Sequence, residues 1–249
     1  IMVPCPNFDH AIKLWRDNPE IDLGVHLTLT CEWGEKYPWK PVLSETAVPS
    51  LYNSKGMMWP SVEALLQHAE RNHMERELEA QIEKVIAMAL KPSHLDCHMN
   101  FGFHGDLFSL IMELSRKFNL PMRVEKRKKY KLPFIKNNLW SLRAKGYVFP
   151  DTRKGIYMIS SPNQSLKSRK ARYHDHLRSL TPGVHNIHVH IAFHTAELQS
   201  LLGHHDSSIR QIDYDVWTSD DTRKLAEDLG ITFIGYKPLQ KLQEKLMNQ

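Results

Sequence analysis

The residues best suited to chemistry stand in three short stretches where histidine alternates with apolar neighbours. His94-Leu-Asp-Cys-His98 puts two imidazoles and a carboxylate on one side of an extended strand, because side chains two positions apart share a face. Neutral imidazole and carboxylate suit zinc or another first-row divalent ion, and a nearby carboxylate fixes the tautomer of a ligating histidine. The plainer alternative is a pair of hydrogen-bonded histidines near a strand end. Gly24-Val-His-Leu-Thr-Leu-Thr30 sets His26, Thr28 and Thr30 opposite Val25, Leu27 and Leu29. Taken by itself, a histidine there is more often structural than a ligand. His188-Val-His-Ile-Ala-Phe-His194 carries alternating histidines too. One of them is expected to reach a site while the others pack or hydrogen-bond locally.

These stretches need elements to hold them. Asp9 to Asn18 has apolar residues at helical spacing and is stopped by Pro19, before a strand over Leu23 to Leu29. Glu63 to Leu90 reads as one long helical region, with Leu65, Leu78, Ile82 and Val85 on its stripe and Pro92 beyond it. A strand over His94 to His98, a helix over Leu107 to Phe118 and a short strand over Met122 to Val124 follow. Asn186 to Phe193 alternates as a further strand. Ser219 to Leu229 is a helix closed by Gly230, and Ile231 to Tyr236 is rich in β-branched and aromatic residues. Repeated helix-then-strand units predict an α/β protein with a parallel sheet or barrel. Pro38 to Pro60 and Pro133 to Lys170 break the plan and read as long loops of the kind that carry substrate contacts.

Composition narrows the class. The 249 residues fit one large α/β domain, 1–249, and no apolar run is long enough to cross a bilayer. Nothing near Ile1 resembles a secretory signal, so a cytoplasmic protein is expected. Cys5, Cys31 and Cys97 are odd in number and contain no C-x-x-C pair, which argues against a disulfide framework or a cysteine zinc site. The net charge of +5 and the run Arg123 to Lys131 (RVEKRKKYK) raise nucleic acid as a partner. No nucleic-acid motif or aromatic stacking pattern accompanies the run, so it reads as a solvated loop.

The order of several short motifs carries a resemblance. Met2-Val-Pro4, Asp22-Leu-Gly-Val-His-Leu-Thr-Leu-Thr30, Pro92-Ser-His-Leu-Asp-Cys-His98, Met122-Arg123, His190-Ile-Ala-Phe193 and Ile234-Gly-Tyr236 together resemble the YdjC family of carbohydrate deacetylases, chitooligosaccharide deacetylases among them. Ser50 to Gly56 resembles a loop of the same family. The resemblance spans nearly the whole chain and implies a distorted or incomplete (β/α) barrel of the TIM-like kind. It further implies one divalent metal ion, Mg or Zn, held by an aspartate and two histidines, here His26 and His98. His94 is then an outer group or an occasional ligand, and Asp96 orients the imidazoles as part of the catalytic set. Arg123 meets substrate, and His190 protonates the leaving amine or stabilises the oxyanion. The family's aspartate belongs to an Asp-Asp pair on a first strand that would precede Met2, and that strand is absent from this sequence. His190-Ile191 stands where the family usually has His-Pro.

The implied reaction is metal-assisted hydrolysis of an N-acetyl group on an amino sugar or oligosaccharide. With the acidic pair missing, the 249-residue chain is expected to hydrolyse poorly. The alternative is a carbohydrate-binding or catalytically degenerate barrel. A third reading, a metal-dependent phosphoesterase, normally needs more metal carboxylates. Expected partners are the acetylated sugar, with no nucleic acid and no membrane, and a homodimer is an allowed assembly. Trp33, Trp39, Tyr52 and Trp59 are candidates for stacking on sugar rings, although each is more ordinarily a loop anchor.

Overall fold

The computed structural model describes residues 1–34, 36–105, 107–124, 133–151 and 165–249, with only the backbone of 133–138. Contacts group the chain into two compact units. The first takes in Ile1–Val124, 133–149 and Gly235–Gln249, and the second takes in the described part of Pro150–Ile234.

In the first unit, helix α1 (Phe8–Arg16) leads to strand β1 (Gly24–Leu27), which pairs in parallel with β2 (His94–Cys97). The register sets Gly24 opposite His94, Val25 opposite Leu95, His26 opposite Asp96 and Leu27 opposite Cys97. Alternation therefore gives the sheet one apolar and one polar face. Val25, Leu27, Leu95 and Cys97 are all buried. Between the strands run α2 (Val62–His68) and α3 (Arg71–Ala87), and α4 (Leu107–Lys117) follows β2. Leu78, Ile82 and Val85 of α3 join Leu110, Ile111 and Leu114 of α4 in the core that holds the strands' apolar face. Burying each such side chain contributes about 1.5–3 kcal/mol, which makes this core the foundation of the site.

Two partial neighbours widen the sheet. The Ile1 N–H donates to the Gly24 carbonyl at 2.5 Å, and the Ile1 carbonyl accepts from the His26 N–H at 2.9 Å. On the other side, Leu95 bridges Met122, and the Arg123 N–H donates to the Leu95 carbonyl at 2.9 Å. The strand expected over Met122 to Val124 is thus a single bridge.

Past Leu27 the chain continues without a ladder, and a helix side chain takes the place of a neighbouring strand. Gln81 accepts from the Thr28 N–H at 3.0 Å and donates to the Thr28 carbonyl at 2.7 Å. Glu77, one turn earlier on α3, accepts from Gln81 and from the N–H groups of Val42 and Leu43 at 2.8, 2.8 and 3.0 Å. These are ordinary obligations of backbone polar groups met by side chains. Farther on, Thr30 bridges Trp59, the Cys31 N–H donates to the Trp59 carbonyl at 2.8 Å, and the Trp39 indole N–H donates to the Thr30 carbonyl at 2.9 Å.

The remaining elements depart from expectation in definable ways. The helical region expected over Glu63 to Leu90 is two helices, interrupted where Ala69 and Glu70 turn extended. His68 stacks on Trp59 at 4.0 Å and the Glu70 N–H donates to Ser50 Oγ at 2.9 Å, so contacts to the preceding loop override local propensity. Pro38 to Pro60 is a loop with one 3-10 turn, Pro49–Leu51. Pro133 to Lys170 is not one loop: it holds α5 (Pro133–Ala144), with proline at the first helical position, and the start of α6 (Leu166–Arg178). Residues 152–164 of that stretch lie outside the described residues, as does the basic run beyond Val124.

In the second unit, α6 packs with α7 (Ala196–Trp217) and α8 (Asp220–Asp228). Arg169 of α6 pairs with Asp213 of α7 in the buried interior, and the Tyr173 hydroxyl donates to the same carboxylate at 2.8 Å. Gly230 ends α8 with φ of 67°, as its position predicts. Among the described residues, neither Asn186 to Phe193 nor Ile231 to Tyr236 joins a ladder. The final helix, α9 (Lys237–Met247), belongs to the first unit. The architecture is α/β, mostly helical, with a small parallel sheet. No helix among the described residues is long and apolar enough to cross a membrane.

Candidate active site

The polar face of β1 and β2 brings His26, Asp96 and His98 together. His26 and Asp96 face each other by register, with Nδ1 to Oδ1 at 2.6 Å. The second Asp96 oxygen lies 3.4 Å from Arg123 Nε, an ion pair. Arg123 is placed by its backbone bond to β2, and its guanidinium also donates to Asn100 Oδ1 at 3.4 Å. Burial raises the affinity of Asp96 for a proton. The His26 hydrogen bond, with the charges of His26, Arg123 and His94, overrules that and holds the carboxyl well below the usual range.

His98 directly follows β2 and opens a tight turn, in which Met99 and Asn100 take φ of 52° and 56°. Non-glycine residues rarely occupy this left-handed region, and the turn stands directly beside a site residue. His98 Nε2 meets Glu32 Oε2 at 2.8 Å. Burial raises Glu32 as well, but the hydrogen bond to His98 and the charges of His98 and His26 together outweigh it and the net direction is down. The rings of His26 and His98 lie 5.4 Å apart at 71°, and Trp39 meets His98 edge-on at 6.2 Å.

Glu32 was not anticipated from the sequence. Its signal is the period of two that runs through His26, Thr28, Thr30 and Glu32, beyond the point where the strand reading stopped. β1 and the segment after it supply His26 and Glu32, β2 and the residue after it supply Asp96 and His98, and the two pairs are exchanged crosswise.

His94 sits deeper on the same face. A Cβ on Gly24 would collide with its ring, so glycine there makes the room. Ser93 Oγ lies 3.0 Å from His94 Nδ1, and Tyr236 stacks on the imidazole at 4.1 Å and 21°. Burial pushes the His94 pKa down to about 4, which keeps the ring neutral near pH 7. Tyr236 is itself held through Asp22, whose Oδ2 accepts from the Lys237 N–H at 2.8 Å and whose Oδ1 lies 3.0 Å from Lys237 Nζ. A Cβ on Gly235 would strike Asp22. The Gly235-Tyr236 pair is accordingly a prop for His94.

His190 lies in the second unit, exposed on a segment without regular secondary structure, with the His188 ring 6.2 Å away. Of the loop aromatics, Trp39, Tyr52 and Trp59 each donate to a loop carbonyl, which makes them anchors.

In donor type the histidine pair suits a divalent ion, each imidazole keeping one ring nitrogen clear of its carboxylate. Asp96 engages His26 through Nδ1 and leaves Nε2, whereas Glu32 engages His98 through Nε2 and leaves Nδ1. Among the described residues no cluster of three His, Cys, Asp or Glu side chains forms.

Fold and site together define an α/β protein whose parallel strands, with the segments that follow them, present paired histidines and carboxylates. The sequence profile of the YdjC-like protein family matches residues 1–228, and the chain belongs to that family. It is 34% identical over 136 residues to a carbohydrate deacetylase of Geobacillus stearothermophilus, covering 54% of this chain and 51% of the relative. A carbohydrate deacetylase of Thermoanaerobacter pseudethanolicus is 25% identical over 240 residues, covering 96% and 86%. The chain spans about half the length of the first of these and most of the second. A crystal structure from Enterococcus faecalis V583, of a protein provisionally described as a cellobiose-phosphate cleavage protein, superposes with a TM-score of 0.74. It is 25% identical, covering 95% of this chain and 85% of that one.

Proposed function

We propose that this protein removes N-acetyl groups from amino sugars or their oligosaccharides, with a divalent ion held by His26 and His98. The observation that carries the reading is the pair of imidazoles, 5.4 Å apart and each backed by its own carboxylate. Such backing raises ligand basicity and fixes ring orientation. When bound, the ion supplies Lewis-acid chemistry, acidifying water and polarising an amide carbonyl. Asp96 keeps the His26 proton on Nδ1, and Arg123 keeps Asp96 ionised. The relatives named carbohydrate deacetylase support the substrate class. The arc from Ile1 through β1 and β2 to Met122 is read as part of a (β/α) barrel, in a protein of the cytoplasm.

The test is acetate release from N-acetylglucosamine oligomers, with bound metal counted, by the full-length protein. His26→Ala and His98→Ala should each lower both by at least about 100-fold and about 10-fold respectively. His205→Ala should leave both unchanged. Equal losses in all three variants, or full activity without His26, would end the proposal. The lack of a third converging donor among the described residues favours, as second reading, a protein that binds the sugar without turnover. Saturable oligosaccharide binding with no acetate released by the full-length protein would select it.

A further inference from the structure

We propose that Glu32 is a positioning residue for His98, holding the imidazole through Nε2 so that His98 offers Nδ1 to a cation while His26 offers Nε2. This rests on the metal reading above. Three observations carry it.

The first is the contact itself. Glu32 Oε2 lies 2.8 Å from His98 Nε2, and both side chains are largely enclosed, at 20% and 12% exposure. A carboxylate only accepts hydrogen bonds, so the bond puts the His98 proton on Nε2 and leaves Nδ1 with its lone pair. Asp96 imposes the reverse on His26 through Nδ1.

The second is the rigidity of the segment that presents Glu32. Gln81 grips both backbone groups of Thr28, Trp39 ties the Thr30 carbonyl, and the Cys31 N–H is bonded to Trp59. Glu32 therefore arrives at His98 on a fixed backbone, which is what positioning of another side chain requires.

The third concerns neighbours. Asp96 is tied by His26 and by Arg123, so its hold on His26 has a second anchor. Glu32 has His98 as its side-chain partner among the described residues. Its loss should consequently be felt at His98 and not at the Asp96 end of the site.

The experiment uses the full-length protein and its Glu32→Gln and Glu32→Leu variants, matched first for unfolding midpoint. Nitrogen-15 spectra of the metal-free protein should show His98 protonated at Nε2 in the wild type, with that tautomer lost in Glu32→Leu and His26 unaltered in both. Zinc affinity, read by competition with a chromophoric chelator, should fall about 10- to 100-fold in Glu32→Leu. It should fall only a few-fold in Glu32→Gln, whose carbonyl can still accept the proton's hydrogen bond. A wild-type His98 protonated at Nδ1, or unchanged zinc affinity in Glu32→Leu, overturns the proposal. Equal losses in Gln and Leu overturn it in favour of direct ligation by Glu32. If wild type takes up no zinc, the metal reading fails, and the tautomer measurement alone decides whether Glu32 governs His98.

Discussion

Two stretches of this molecule have nearly the same pattern and opposite fates. Gly24 to Thr30 alternates His26, Thr28 and Thr30 with apolar residues, and His188 to His194 alternates histidines with apolar residues in the same way. In the first, Val25 and Leu27 are fully buried and His26 meets a carboxylate by register. In the second, Ile191 and Phe193 are 51% and 61% exposed and no ladder forms among the described residues. Alternation supplies two faces, and a partner with matching faces turns them into a site. β1 has β2 alongside, α3 beneath, and glycine at the position where a side chain would displace His94.

The comparison can be broken most directly at Asp96. Asp96→Ala should destabilise the protein by about 3 kcal/mol, because it removes the partner of His26 and strips the buried Arg123 of an ion pair. Urea denaturation measures this, and a loss under about 1 kcal/mol would mean that the β1–β2 face is no more committed than the exposed histidine segment. Next comes pH. An unfolded chain protonates His94 near pH 6.5, whereas burial holds the folded ring neutral down to about 4. Stability from this group is complete above pH 6.5 and drains away as pH falls towards 4, by about 3 kcal/mol in all. Subtracting the profile of His94→Gln isolates the effect, and coincident profiles would refute it. The smallest effect belongs to the other stretch: His188→Ala should change stability by no more than about 0.5 kcal/mol. A loss comparable with that of Asp96→Ala would show that the second stretch is as closely built as the first.

Much of the site was legible because a period of two needs only spacing. Spacing put His94, Asp96 and His98 on one face and His26 on the polar face of another strand, and the register sets His26 opposite Asp96. Glu32 escaped because regular hydrogen bonding to a strand stops at Leu27, and its position is set by Gln81, Trp39 and Trp59, none of which spacing reveals. Helix α5 was hidden by an Asn- and Pro-rich composition, although Pro133 stands where a helix tolerates it. α7 was missed in a stretch of Ser, Gly and His, yet Thr195 caps it by accepting from the Leu198 N–H. The expected strands at Asn186 to Phe193 and Ile231 to Tyr236 failed for a different reason. β-branched and aromatic residues fit a pleated surface, but only cross-strand neighbours make one.

The bond between Asp22 and Lys237 spans 215 positions of sequence. A chain emerging from the ribosome therefore carries β1, β2 and the imidazole pair long before Tyr236 exists to cap His94. Closing so long a loop is entropically slow and must wait for synthesis of the last helix. Until then the face of the His94 ring that Tyr236 covers has no stacked partner, so the growing chain shields this imidazole from water less than the finished protein does.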